Sequence, residues 1–180
     1  MSEIDLERGT GVPLKGLRAP ARELSKEEFE DQHGSAFLLL MAAELAIPRG
    51  PATTEVQLLD DDRRPGDSTA SLSLLIYPLH KSNRSPGHLI TIGRAANNDV
   101  IVPDLSISRF HAFVKEEDGQ WPLRDAGSTN GTTVNGRNAP QQGHGEAMDL
   151  KAGDSVRLGQ VELTFLDLPA LLAYVAKLDR

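Results

Sequence analysis

From residue 72 onward, apolar residues come in short bursts. Residues 72–79 (LSLLIYPL), 89–92 (LITI), 99–102 (DVIV), 110–114 (FHAFV), 121–124 (WPLR), 132–134 (TTV), 155–158 (SVRL) and 161–166 (VELTFL) are apolar or alternating, and Gly, Asn, Asp or Pro separate them. Runs of this length between turn residues predict β-strands. Eight of them in a span this short predict an all-β sandwich or barrel over residues 72–167. Gly159-Gln160 predicts a tight turn between the last two.

Before residue 72 the pattern changes. Residues 1–24 hold Gly, Pro and mixed charge without apolar periodicity, which predicts a flexible arm. Ser25-Lys-Glu-Glu28 has the capping-box spacing, so a helix is predicted to start there. Gly34 interrupts it, and AFLLLMAAEL (36–45) reads as a second helical piece that Pro48 and Gly50 stop. Residues 25–58 are therefore expected to be a helical extension, covering an edge or face of the β domain or docking on another protein. Residues 59–71 (LDDDRRPGDSTAS) have the charge density of a linker. At the other end Asp167 is a candidate cap, and Leu168, Leu171, Leu172, Val175 and Leu178 share one helical face. A helix over 168–180 is expected, docked on the sandwich or pairing with a partner.

Composition narrows the functional classes. The 180 residues include no cysteine, which excludes disulfides, thiolate metal sites and a cysteine nucleophile. The formal charge of -7 disfavours binding to a nucleic-acid backbone. The run AFLLLMAA is too short to cross a bilayer, and acidic residues precede it, so no membrane association is expected and the compartment expected is cytoplasm. His33, His80, His88, His111 and His144 lack ligand spacing, so no metal is assigned. No glycine-rich nucleotide loop occurs, and no cofactor is assigned.

The candidate chemistry lies in four features taken in order: Ile92-Gly93-Arg94, Ser108-Arg-Phe-His111, Ser128-Thr-Asn-Gly131 and Asn135-Gly136. On a chain of short strands, with NNDVIV (97–102) and KAGDSVRL (151–158) flanking them, they resemble the forkhead-associated family of phosphothreonine-peptide readers. The resemblance covers residues 70 to 167 and implies a sandwich of two antiparallel sheets, with the N- and C-terminal helices as additions. It implies Arg94 as the main phosphate ligand, its guanidinium forking onto the anion as lysine cannot. Ser108 would offer a hydroxyl and a main-chain amide, Arg109 a second cation, Thr129 a further phosphate contact and Asn130 a bond to the peptide backbone. Gly93, His111, Gly131, Asn135 and Gly136 would support the site structurally, with Asn135-Gly136 closing a hairpin close to where a downstream peptide residue is tested.

Ser108, His111 and Asp125 also supply the residue types of a hydrolytic triad. No strand-to-helix Gly-x-Ser-x-Gly turn accompanies the serine, so the chain is read as non-enzymatic. Residues 87–166 hold seven Lys/Arg against ten Asp/Glu, so any attraction is local and suits one phosphate rather than a polyanion. The expected partner is a phosphothreonine-containing protein or peptide, and through it a Ser/Thr kinase. The alternative is a phosphate-independent scaffold or oligomerisation module. Thr10, Thr53 and Thr54 add a self-association variant, in which the N-terminal segment of the same or a neighbouring chain occupies the site.

Overall fold

A computed structural model describes residues 9–41, 74–82, 84–85 and 87–178. Among these, twelve strands form two sheets. They are β1 (Val12–Pro13), β2 (Ala36–Met41), β3 (Leu74–Pro78), β4 (Ile90–Gly93), β5 (Val100–Ile101), β6 (Ala112–Val114), β7 (Pro122–Asp125), β8 (Thr132–Val134), β9 (Arg137–Asn138), β10 (Met148–Asp149), β11 (Ser155–Leu158) and β12 (Val161–Asp167). The larger sheet has the order β1-β3-β2-β12-β11-β8-β9, the smaller β10-β7-β6-β4-β5. All pairs are antiparallel except β4 with β5, where Ile92 lies opposite Val100 in a parallel register. Each of the eight expected strands overlaps an observed one. Between the sheets lies a core that includes Ile90, Ile92, Val114, Leu123, Val156, Leu158, Leu163 and Phe165.

The expected second helical piece over 36–45 is corrected by β2, which sits centrally in the larger sheet, hydrogen-bonded to β3 and β12. Ala36, Leu38 and Leu40 face the sandwich core, while Phe37 and Leu39 face outward into a second apolar cluster. A strand buried on both faces shows a continuous apolar run instead of alternation, which hides its period. The sandwich therefore draws on chain well before residue 72: Ala36–Met41 lies centrally in the larger sheet and Val12–Pro13 forms its edge. The remainder of the expected helical extension, 42–58, and the linker, 59–71, lie outside the described residues.

The second cluster explains the ends of the chain. Its members include Leu14 and Leu17 from a 3-10 turn (Leu14–Leu17), Phe29 from α2 (Lys26–His33), and Leu168, Leu171 and Val175 from α3 (Leu168–Leu178). Burying each such side chain contributes about 1.5–3 kcal/mol. The expected arm is thus corrected over 9–24: Leu14 and Leu17 are buried, a short α1 (Pro20–Glu23) follows, and Thr10 bridges to Ile101 on the smaller sheet. Residues 1–8 lie outside the description. The helix expected at Ser25 begins there, with Glu28 N–H donating to Ser25 Oγ at 3.2 Å and Ser25 N–H donating to Glu28 Oε2 at 2.9 Å. Asp167 caps α3 by accepting from Ala170 N–H at 2.9 Å. No helix among the described residues is long and apolar enough to cross a membrane.

Candidate functional site

β4, β6, β7, β8 and β11 bring their connecting loops together at one end of the sandwich. Because β4 and β6 are antiparallel, with Ile92 opposite Ala112, the chain leaving β4 runs beside the chain entering β6. Arg94 N–H donates to Ser108 C=O at 3.1 Å and Ala95 N–H to Arg109 C=O at 3.2 Å. Gly93 makes this approach possible: a Cβ there would stand 2.3 Å from the Arg109 carbonyl oxygen. The buried Asn98 holds the same junction, its amide donating to Arg109 C=O at 2.6 Å and Ala95 C=O at 2.8 Å.

A second junction joins the serine loop to the loop after β7. His111 is fully buried. Its Nδ1 accepts from Ser108 N–H at 2.9 Å, so the ring proton is on Nε2, which donates to Gly131 C=O at 3.1 Å. Burial pushes its pKa below the usual histidine value, against the opposing pull of the Gly131 carbonyl and the Asp125 charge. Asp125 organises the 127–132 loop: its Oδ1 accepts from Gly127 and Ser128 N–H at 2.8 Å, and its Oδ2 from Ser128 and Thr132 hydroxyls at 2.6 and 2.7 Å. Burial pushes this carboxyl up, but the four bonds outweigh it and hold it below its ordinary range.

The result is a cavity of about 700 Å³ at the rim, lined by Arg94, Ser108, Arg109 and Thr129, with Ala95, Asn97, Phe110 and Gly127. Ser108 Oγ accepts from Thr129 N–H at 3.0 Å and lies 3.5 Å from the Thr129 hydroxyl. Arg94 and Arg109 are exposed, and among the described residues neither guanidinium is paired with a carboxylate. Two cations and two hydroxyls on one cavity can hold one multiply charged oxyanion.

Asn130 is next to this group, its amide donating to Ser106 C=O at 2.7 Å and so tying the two loops across their tips. Gly131 follows with φ +78°. Asn135-Gly136, by contrast, stands at the far end of β8 from the cavity. Both residues have positive φ, +49° and +78°, in the two-residue turn between β8 and β9. The Asn135 side chain donates to Asp154 Oδ1 at 2.7 Å and accepts from Ser155 N–H at 2.9 Å, which fastens the hairpin to the start of β11. The structure therefore does not bring this pair to the cavity. The triad reading fails on geometry, because His111 Nδ1 takes the main-chain N–H of Ser108, leaving no contact to its hydroxyl. Asn98, Asp125 as a loop hub, and Phe110 at the cavity wall are parts of the site that the motifs did not single out. Asn98 lay within the flanking NNDVIV stretch, the one signal that pointed to it.

The family model of the FHA domain matches residues 90–159. A stretch of 102 residues is 33% identical to an ABC transporter ATP-binding/permease protein of Mycobacterium tuberculosis, covering 57% of this chain and 11% of that protein. Another of 80 residues is 35% identical to the oxoglutarate dehydrogenase inhibitor of Corynebacterium glutamicum, covering 44% of this chain and 52% of that one. The chain thus spans about half or less of the length of these relatives. A solved FHA domain from Chlamydia trachomatis aligns with 74% of this chain and 98% of its own, at 23% identity and a TM-score of 0.44. Residues 90–159 of this chain are an FHA domain.

Proposed function

We propose that the rim cavity binds a phosphothreonine in a partner protein, and that the chain is a non-catalytic adaptor in Ser/Thr kinase signalling. The observation that carries this is the pair of guanidiniums, Arg94 and Arg109, without a carboxylate partner among the described residues, on one cavity with the Ser108 and Thr129 hydroxyls. In this reading Arg94 forks onto the phosphate, Arg109 adds a second charge, Ser108 and Thr129 donate hydroxyls, and Asn130 turns its amide to the peptide backbone. Gly93, His111 and Gly131 hold those groups in place, and Asn135 and Gly136 support them at one strand's remove. A relative named as an enzyme inhibitor fits a regulatory role of this kind. With charge-assisted bonds worth roughly 1.5–3 kcal/mol each, three or four support a dissociation constant on the order of micromolar after ordering costs. Reversible binding of that strength suits a cytoplasmic signalling adaptor.

The phosphate-independent scaffold is the weaker reading. The segments that would assemble copies, residues 12–33 and α3, place their apolar side chains on the outer face of their own larger sheet.

Titration calorimetry with matched phosphothreonine and threonine peptides tests the proposal. Native protein is expected to bind only the phosphorylated form, and Arg94→Ala to weaken it about a hundredfold, the loss of one forked charge-assisted contact. Equal affinity of Arg94→Ala and native protein across a phosphothreonine peptide panel would sink it.

A further inference from the structure

Phe110 stands between Arg109 and the buried His111, yet it is 44% exposed, one of the few large apolar side chains left open to water among the described residues. Its ring lies nearly parallel to that of Phe113, 20° between planes and 6.2 Å between centroids. Phe113 is in register between Thr91 on β4 and Arg124 on β7. Its neighbours Ala112 and Val114 point into the core, so Phe113 itself occupies the outer surface of the smaller sheet. Arg124 is held in turn by the carbonyls of Gln141, His144 and Gly145 at 3.3, 3.2 and 2.9 Å. Phe110 is therefore backed by a ring in a rigid sheet, and it lines the same cavity as Arg94, Ser108, Arg109 and Thr129.

An open phenyl ring against a fixed partner has little freedom left to lose when a ligand arrives, and rigid aromatic anchors of this kind carry much of the energy of interfaces. A bare anion satisfies the two cations but leaves the ring wet. Covering the ring removes apolar surface from water, which only an apolar group does with gain.

We propose that Phe110 is a specificity residue: the ligand is a phosphothreonine segment with an aliphatic or aromatic side chain close to the phosphothreonine, and that side chain lies on the Phe110 ring. This rests on the phosphothreonine reading above. A ligand with only acidic or small polar neighbours gains nothing from the ring and binds more weakly than one with an apolar neighbour.

The test uses a phosphothreonine peptide with alanine at all flanking positions and a set in which each flank in turn becomes Leu or Phe, measured by fluorescence polarisation. With native protein one flanking position is expected to tighten binding about five- to tenfold, the gain from partly burying one apolar side chain. Phe110→Ala is expected to abolish that gain, so that the variant binds the Leu- or Phe-flanked and the alanine-flanked phosphopeptides alike, and Phe110→Leu to retain part of it. Phe110 is 44% exposed, so both variants are expected to fold with at most a modest loss of stability from the Phe113 stack, which thermal unfolding checks. A native protein indifferent to every flank, or a preference that survives Phe110→Ala, overturns the proposal. If native protein fails to bind even the alanine-flanked phosphopeptide, the phosphothreonine reading itself has failed, and this inference with it.

Discussion

Two buried histidines show how differently the rim and the outer cover of the larger sheet are built. His111 at the rim has both ring nitrogens engaged, one by Ser108 N–H and one by Gly131 C=O, so its burial fastens two loops together. His33, in the last turn of α2, is also buried, with its ring edge-on to Phe29 at 4.6 Å between centroids. Neither of its nitrogens has a partner among the described residues. Burial lowers the pKa of each. A satisfied buried polar group fixes geometry, whereas an unsatisfied one only costs stability. The rim is thus specified by polar ties between loops, whereas the centre of the cover is an apolar cluster.

His111→Ala tests the rim and is expected to have the largest effect. Ser108 N–H and Gly131 C=O lose their partner and a void opens, so stability should fall by about 2–4 kcal/mol in denaturant melts. Phosphopeptide affinity should fall with it, because the serine loop and the 127–131 loop lose their common tie. Unchanged melting would dissolve the contrast.

His33→Leu is the converse experiment, expected to raise stability by about 1 kcal/mol by removing an unpaired buried polar group, with phosphopeptide affinity unchanged. Its pH dependence has a definite sign. A histidine with a depressed folded pKa costs nothing above the unfolded value of about 6.5. Below that pH the unfolded chain takes up a proton that the folded ring refuses, and stability falls. Melting temperature should therefore decline from pH 7 towards pH 5 in the native protein and decline less steeply in His33→Leu. An identical slope in the two proteins would show that His33 is not the group responsible.

The smallest effects should separate the two Asn-Gly pairs. Asn135→Ala places an ordinary residue at φ +49° and removes the bonds to Asp154 and Ser155, and is expected to cost about 1 kcal/mol of stability with little change in affinity. Asn130→Ala should do the reverse, weakening peptide binding at nearly native stability. The measurement is a paired comparison of denaturation midpoint and phosphopeptide dissociation constant for each variant.

Much of the sandwich was legible because half-buried strands write their period into the sequence. The residues 155–158 and 161–166 did so, as did the capping box of Ser25 and Glu28. β2 was not legible, since the second face that buries Phe37 and Leu39 is supplied by residues at both ends of the chain. The rim cations and hydroxyls were legible as an ordered set of short motifs. Gly93, His111 and Gly131 were legible with them, but the hub was not, because Asp125 reads locally as any acid after a strand, and its role depends on three residues folding back onto it. Asp99 is a parallel case. It collects Lys81, Ser82, Ser85 and Thr91, and although burial pushes its pKa up, the bonds from Ser85, Thr91 and Ser82 bring it down to about 2. Nothing local announced that cluster.

The missing side chain at Gly93 sets a gauge. Because two main chains touch there, the anchor points of Arg94 and Arg109 are spaced by backbone contact rather than by rotamer choice, and neither can retreat without breaking a backbone hydrogen bond to the other's loop. The two guanidiniums have a preset separation at their roots: selection can retune the side chains around them, but the spacing of the two loops is cast in the polypeptide.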